Sequence, residues 1–230
     1  MNIGGFQKTT LLDYPGNVSA IIWTVGCNFR CPFCYNINLV NKKSDLFSEA
    51  DILNFLEKRK NFLDGLVISG GEPFLQKDLK NFCKKVKKLG YKIKIDTNGT
   101  YPEKLKELIE EKLVDYISMD VKAPKEKYDK LSGVKTDLEK IDKSIRTIQN
   151  SDVEYEFKTT IVPNYLEKKD IIDLSKWIKY SKRYFLQQFK NDKPLISADL
   201  KKIKPYNEKY LQNILKDIKP YFKECKLRGT

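Results

Sequence analysis

The chain has 230 residues, enough for one sizeable domain or two small ones, and its 40% hydrophobic and 12% aromatic content is enough to build a core. No apolar run reaches the length needed to cross a bilayer, and the opening Met1–Lys8 has neither a signal peptide's apolar region nor a transit peptide's Arg/Ser bias, so a soluble cytoplasmic protein with no membrane partner is expected. The net charge of +13 does not point to nucleic acid, because the excess is almost all Lys, mixed with Glu and Asp, with no basic block among regularly placed aromatics.

In chain order, Val18–Thr24 is apolar and bounded by Gly16 and Gly26, which reads as a strand. Ser48 is a helix N-cap with Asp51 three residues on. Leu66–Ser69 is a short buried strand. Gln76–Leu89 carries Leu79, Phe82, Cys83 and Val86 on one helical face and ends at Gly90. Tyr91–Asp96 is a strand, Pro102–Leu113 a helix and Tyr116–Asp120 a strand. Leu138–Ile148 is a helix behind a Thr136…Glu139 capping box. Tyr155–Val162 is a strand stopped by Pro163, Asp170–Ile178 a helix and Tyr184–Gln188 a sixth strand. A last helix over about 207–218 closes the chain. Strand and helix thus alternate about six times, which means parallel strands with right-handed crossovers. No linker or repeat interrupts them. One α/β domain over 1–230 is expected, either an open doubly wound sheet or a curved, barrel-like one, with its core at about 15–190.

The five cysteines are Cys27, Cys31, Cys34, Cys83 and Cys225, an odd number that argues against a disulfide framework. His is absent, so metal chemistry here must rest on thiolates. Cys27-Asn-Phe-Arg-Cys31-Pro-Phe-Cys34 puts three thiols in one loop directly after a strand. Such a loop can wrap one face of an iron–sulfur cube, each thiolate taking one iron and the fourth iron staying open. A zinc site or buried thiols are the competing readings. Cys83 lies on an apolar helix face and reads as core; Cys225 stays open as a further ligand.

Three weaker motifs follow the next three strands. In Ser69-Gly70-Gly71-Glu72-Pro73, paired glycines let backbone approach a ligand and the carboxylate could bind an amine, although the run also makes a good strand-to-helix turn. Asp96-Thr97-Asn98-Gly99 reads equally as an ordinary turn. Asp120-Val121-Lys122 could hold the hydroxyls and carboxylate of a zwitterionic ligand, or be a surface ion pair. All four motifs fall at the C-terminal ends of successive strands, where α/β folds place ligand sites.

Together these residues resemble the radical S-adenosylmethionine superfamily, whose signature is Cys-x3-Cys-x2-Cys with an aromatic, here Phe33, before the last cysteine. Gly4–Gly16 (GGFQKTTLLDYPG) and Cys34-Tyr35-Asn36 look like the glycyl-radical-enzyme activating enzymes, especially the anaerobic ribonucleotide reductase activating type. The resemblance covers about residues 4–190. It implies a curved, partial (βα)6 TIM-like barrel with helices outside, with 1–16 as an N-terminal leader. It implies a [4Fe–4S] cluster on Cys27, Cys31 and Cys34, and S-adenosylmethionine as the second cofactor. Phe33 and Tyr35 would lie beside the adenosine, and Gly71 and Glu72 near the methionine amine. Asn98, Asp120, Val121 and Lys122 would complete that site, with Asp120 and Lys122 on the ribose and carboxylate. Asp13 would face the substrate peptide, and Asp96 and Thr97 with Asp120 would form a monovalent-cation site. The implied partners are a glycyl-radical enzyme and a flavodoxin- or ferredoxin-type electron donor, whose acidic surface the basic chain would suit. Two departures concern the adenine side: Tyr35 stands where the family often has His, and Gln187, Gln188 or Phe189 replaces a sixth-strand His. A radical enzyme acting on a small molecule, and a non-catalytic metal-binding module contacting nucleic acid, are the alternatives.

Overall fold

The computed structural model describes residues 1–229. Among them, eight strands form one sheet in chain order: β1 (Ile3–Thr10), β2 (Ser19–Thr24), β3 (Gly65–Gly70), β4 (Lys92–Thr97), β5 (Tyr116–Asp120), β6 (Glu154–Ile161), β7 (Ser181–Gln188) and β8 (Phe222–Arg228). β1 runs antiparallel to β2, and every later neighbouring pair is parallel. The sheet curves without closing, so β1 and β8 are its two edges. The helices are α1 (Ile37–Val40), α2 (Glu49–Glu57), α3 (Leu79–Lys88), α4 (Pro102–Glu110), α5 (Tyr128–Ser132), α6 (Leu138–Gln149), α7 (Lys168–Trp177) and α8 (Glu208–Ile218). This is the partial TIM-like barrel expected from the sequence.

The six strands read from the sequence are β2–β7, and the structure adds one at each edge. β1 occupies the segment read as a leader, and β8 follows the helix read as the last element. Both carry weak strand signals for a physical reason. An edge strand is half solvated, so β1 buries only Ile3 and Thr10 and β8 interleaves Phe222 and Cys225 with charged residues. Helix starts shift by local chemistry. α6 is capped by the Asp137 carboxylate, which accepts from the N–H of Glu139 and Lys140, in place of the expected Thr136 box. α3 begins at Leu79 because Pro73–Leu75 forms a separate short 3-10 turn. Ser48 caps α2 as expected, accepting from the Ala50 N–H.

The helices pack their apolar faces onto the outer side of the sheet. Phe82, Cys83 and Val86 of α3, Ile141, Ile145 and Ile148 of α6, and Leu211, Ile214 and Ile218 of α8 are fully buried against strand residues such as Ile22, Ile68, Ile95 and Phe157. Each large side chain so buried contributes about 1.5–3 kcal/mol. Cys83 is therefore core. The inner side of β4–β6 is polar: Asp96, Asp120, Lys158 and Thr160 line a cavity at the C-terminal ends of the strands. No helix among the described residues is long and apolar enough to cross a membrane.

Candidate active site

The cysteine loop leaves β2 through Gly26, whose φ of +94° suits glycine. Four segments fix its path. The Glu72 N–H donates to Gly26 O at 2.8 Å, and the Arg30 N–H donates to Ser132 O at 2.8 Å. The Ser197 N–H donates to Pro32 O at 2.9 Å, and the Ile196 N–H to Cys34 O at 3.2 Å. Tyr35 ties the end of the loop to the segment after β7: its hydroxyl donates to Lys190 O at 2.7 Å and accepts from the Lys190 N–H at 3.0 Å. Gly71 packs so closely on the loop's entry that a Cβ there would stand 1.9 Å from Gly26 O.

Cys27, Cys31 and Cys34 line one cavity that opens to solvent. All three are free thiols. Burial pushes the Cys27 thiol up to about 11 and the Cys31 thiol up to about 12, with Lys122 opposing the shift at both. Burial also raises Cys34, against the Asn36 N–H and Lys122. Among the described residues no group of three or more His, Cys, Asp or Glu is arranged about a single ion, the geometry a zinc site needs. Three separate thiols around one cavity wall fit a cubane cluster, which takes one thiolate per iron. Cys225 lies on β8 opposite Tyr184 and is not among the cavity residues.

The other three expected loops reach the same cavity through Ser69, Gly70, Gly71, Asp96, Thr97, Asn98, Asp120 and Lys122. Phe33, Tyr35 and Asn36 also line it. Lys122 Nζ stands 3.1 Å from Asp120 Oδ1 and 5.7 Å from the Phe33 ring centroid. Burial opposes charge on both partners, yet Asp120 is held below the carboxylate range by Lys122 and Lys158, and Lys122 is raised by Asp120. Asp96 is bonded by Lys94 and faces Lys158, which outweigh its burial and hold it down at about 2. Thr97 Oγ1 donates to Glu72 Oε1 at 2.9 Å. The residues expected to bind a monovalent cation are thus each already engaged, the two carboxylates by ammonium groups and the hydroxyl by Glu72.

Three expected contacts are placed differently. The Glu72 side chain is fully buried and turned away from the cavity: it accepts from the N–H of Phe74 (3.1 Å) and of Asn98 (2.7 Å) besides Thr97. It braces two loops instead of offering a free carboxylate. Val121 is also fully buried; its N–H donates to Lys158 O at 3.0 Å, and its carbonyl accepts from Thr159 Oγ1 at 2.7 Å. Asp13 follows the antiparallel β1, whose Thr10 pairs with Ser19 at the start of β2, so it sits at the opposite end of the sheet. There it accepts a hydrogen bond from Thr10 Oγ1.

Lys158 and Thr160 of β6 were not anticipated from the sequence; Gln187 of β7, anticipated as one of three adenine-side positions, also lines the cavity. Lys158 Nζ lies 3.5 Å from Asp120 Oδ2. The available signal was the alternation of Glu154, Glu156, Lys158 and Thr160 with Tyr155, Phe157 and Ile161, which marks one polar face.

The family model of the Radical SAM superfamily matches residues 21–178. A protein of Methanocaldococcus jannaschii, assigned by its name to the glycyl-radical enzyme activating enzymes, is 35% identical over 231 residues, spanning 98% of this chain and 95% of its own length. A second M. jannaschii protein of that name is 34% identical over 179 residues, spanning 75% of this chain and 63% of its own length. The structure of Streptococcus suis SuiB bound to S-adenosylmethionine shares the fold at a TM-score of 0.70 and 17% identity, over 91% of this chain and 50% of that one.

Proposed function

The chain belongs to the radical S-adenosylmethionine superfamily and is a radical enzyme, and from that premise we propose that it activates a glycyl-radical enzyme, abstracting a hydrogen atom from a glycine Cα of that partner. The carrying observation is the convergence of three free thiols with Asp120 and Lys122 on one cavity. The near full-length relative named for the same activity supports the choice of substrate class.

Cys27, Cys31 and Cys34 would hold a [4Fe–4S] cluster at the wall of the cavity that would take S-adenosylmethionine. Such a cluster, once reduced by an external donor, would supply the one-electron chemistry for reductive cleavage of S-adenosylmethionine. Lys122 neutralises the ligand carboxylate, and Asp120 takes the ribose hydroxyls. Phe33 and Tyr35 flank the adenosine, with Gln187 on the far wall. Gly71, which lines the cavity, meets the methionine amine through backbone, while Glu72, fully buried with its carboxylate committed elsewhere, holds the turn behind it. Asn98 holds its loop through Asn28, donating Nδ2 to Oδ1 at 2.8 Å. Asp13, at the other mouth of the barrel, faces the incoming polypeptide. A glycyl radical is a fitting product because flanking amides delocalise it. Anaerobic ribonucleoside-triphosphate reductase is the first partner to test, with a flavodoxin or ferredoxin as donor, in the cytoplasm.

The test is anaerobic incubation of reconstituted protein with S-adenosylmethionine, reductant and each glycyl-radical enzyme of the host. A glycyl radical seen by spin resonance on one of them is the expected result. Formation of 5′-deoxyadenosine with no radical on any of them would overturn activation and leave a small-molecule radical enzyme.

A further inference from the structure

On the inner face of β6, the Glu156 carboxylate is 1% exposed and fully occupied. Arg228 of β8 reaches it twice, Nη1 to Oε1 at 2.7 Å and Nη2 to Oε2 at 3.0 Å. Ser118 Oγ donates to Oε1 at 2.9 Å, and the Tyr116 hydroxyl donates to Oε2 at 3.0 Å. Two residues along the same face, Lys158 turns to Asp120 and lines the cavity. Side chains at i and i+2 of a strand share a face, so Glu156 and Asp120 both stand within reach of one ammonium. Lys158 takes Asp120, and Glu156 takes Arg228. Lys94, Lys122, Lys158 and Arg228 thus meet Asp96, Asp120 and Glu156 here, with Asp120 shared by Lys122 and Lys158. The Arg228 guanidinium is seated by the Phe185 ring, 3.8 Å from its centroid, and its strand register sets it beside Gln187 of the cavity wall.

We propose that Arg228 is a positioning residue: by saturating Glu156 it keeps the Lys158 ammonium turned to Asp120 and the S-adenosylmethionine cavity. A buried carboxylate stripped of its cation is strongly unfavourable and recruits the nearest one available. Without Arg228 two ammonium groups remain to act on it, Lys94, which is bonded to Asp96, and Lys158, which stands 3.5 Å from Asp120; a Lys158 drawn to Glu156 would leave the cavity. The inference rests on the reading of this cavity as the S-adenosylmethionine site and extends it to a strand that does not touch the ligand.

The test is S-adenosylmethionine binding to reconstituted protein by equilibrium dialysis, with iron content and thermal midpoint recorded for each variant. Arg228→Met weakens binding by about tenfold, and Lys158→Met does the same. The double variant Glu156→Gln/Arg228→Met, which removes the competing carboxylate along with its partner, binds within about threefold of the parent. Adding Arg228→Met to Lys158→Met costs nothing further. Should Arg228→Met not fold, the double variant against Lys158→Met decides the matter alone. Parent-like binding by Arg228→Met, or binding by the double variant as weak as that of Lys158→Met, overturns the inference. A parent holoprotein that binds no S-adenosylmethionine overturns the reading of the cavity and the inference with it.

Discussion

Glu72 Oε2 accepts a hydrogen bond from the Asn98 backbone N–H at 2.7 Å, clamping the turn after β3 to the turn after β4. The same carboxylate accepts from Phe74 N–H and Thr97 Oγ1, so a residue that reads from sequence as an amine ligand acts as a brace beneath the cavity. Its burial makes that brace sensitive to pH.

Burial raises Glu72 to about 7, outweighing the hydrogen bonds from Asn98, Phe74 and Thr97 and the Lys122 charge. A carboxyl raised in the folded state binds more protons there than in the unfolded chain. Its contribution is therefore full below its ordinary value of 4.5 and is lost as pH rises through about 7. The loss is about 3 kcal/mol. The chain has no His, so little else titrates in this interval. Apoprotein stability from denaturant midpoints should fall between about pH 5 and pH 8 in the parent and flatten in Glu72→Gln. An equal slope in both would show that Glu72 is not the titrating group.

Gly71→Ala places a methyl 1.9 Å from Gly26 O and 2.6 Å from its carbonyl carbon, both backbone atoms that cannot yield without moving the cysteine loop. The expected cost is about 1–3 kcal/mol or more in stability, with the iron content after reconstitution reduced to about half or less. Gly90→Ala is the control: its φ of +92° makes alanine strained, but nothing lies within 4 Å and the cysteine loop is remote. It should lose stability and keep its iron. Full iron in Gly71→Ala would mean the close approach does not shape the loop.

Lys122→Met leaves Asp120, a carboxylate at the cavity wall, with Lys158 as its remaining close cation. Dialysis should show S-adenosylmethionine affinity reduced by roughly 10- to 100-fold at unchanged iron content, with Lys122→Arg in between. Unchanged affinity in Lys122→Met would remove Lys122 from the ligand site.

Cluster assembly needs thiolates, and burial holds Cys27 at about 11 and Cys31 at about 12, so both are protonated at neutral pH. Loading must release those protons. The reconstitution rate should rise by about 30-fold from about pH 7 to about pH 8.5 if one deprotonation is limiting, because the thiolate fraction grows about tenfold per unit below the pKa. A rate independent of pH would contradict thiol deprotonation as the limiting event.

The cysteine loop was legible because three thiols at fixed spacing behind a strand, with no His anywhere, leave few chemistries open. The rim was legible because Gly70-Gly71, Asp96 and Asp120-x-Lys122 each end a recognisable strand. Lys158 and Arg228 were not, because alternating polar residues on a strand look alike whether they face water or the inside of a barrel. Only the curvature of the sheet makes that face an interior. Glu72 was misread for a related reason: its partners Thr97 and Asn98 come from another turn, and no local pattern announces that they meet. β1 and β8 escaped or were blurred because edge strands bury too little to write a clear alternation.

The most direct measurement compares iron binding and S-adenosylmethionine cleavage in the parent with Cys27→Ala/Cys31→Ala/Cys34→Ala, using Cys83→Ala and Cys225→Ala as controls. After anaerobic reconstitution the parent and both controls should be brown, hold about four irons per chain and yield 5′-deoxyadenosine with a strong reductant. The triple variant should fold, stay colourless and yield none. A triple variant that still carries a full cluster, or a parent that never consumes S-adenosylmethionine, would contradict the assignment of these three thiols.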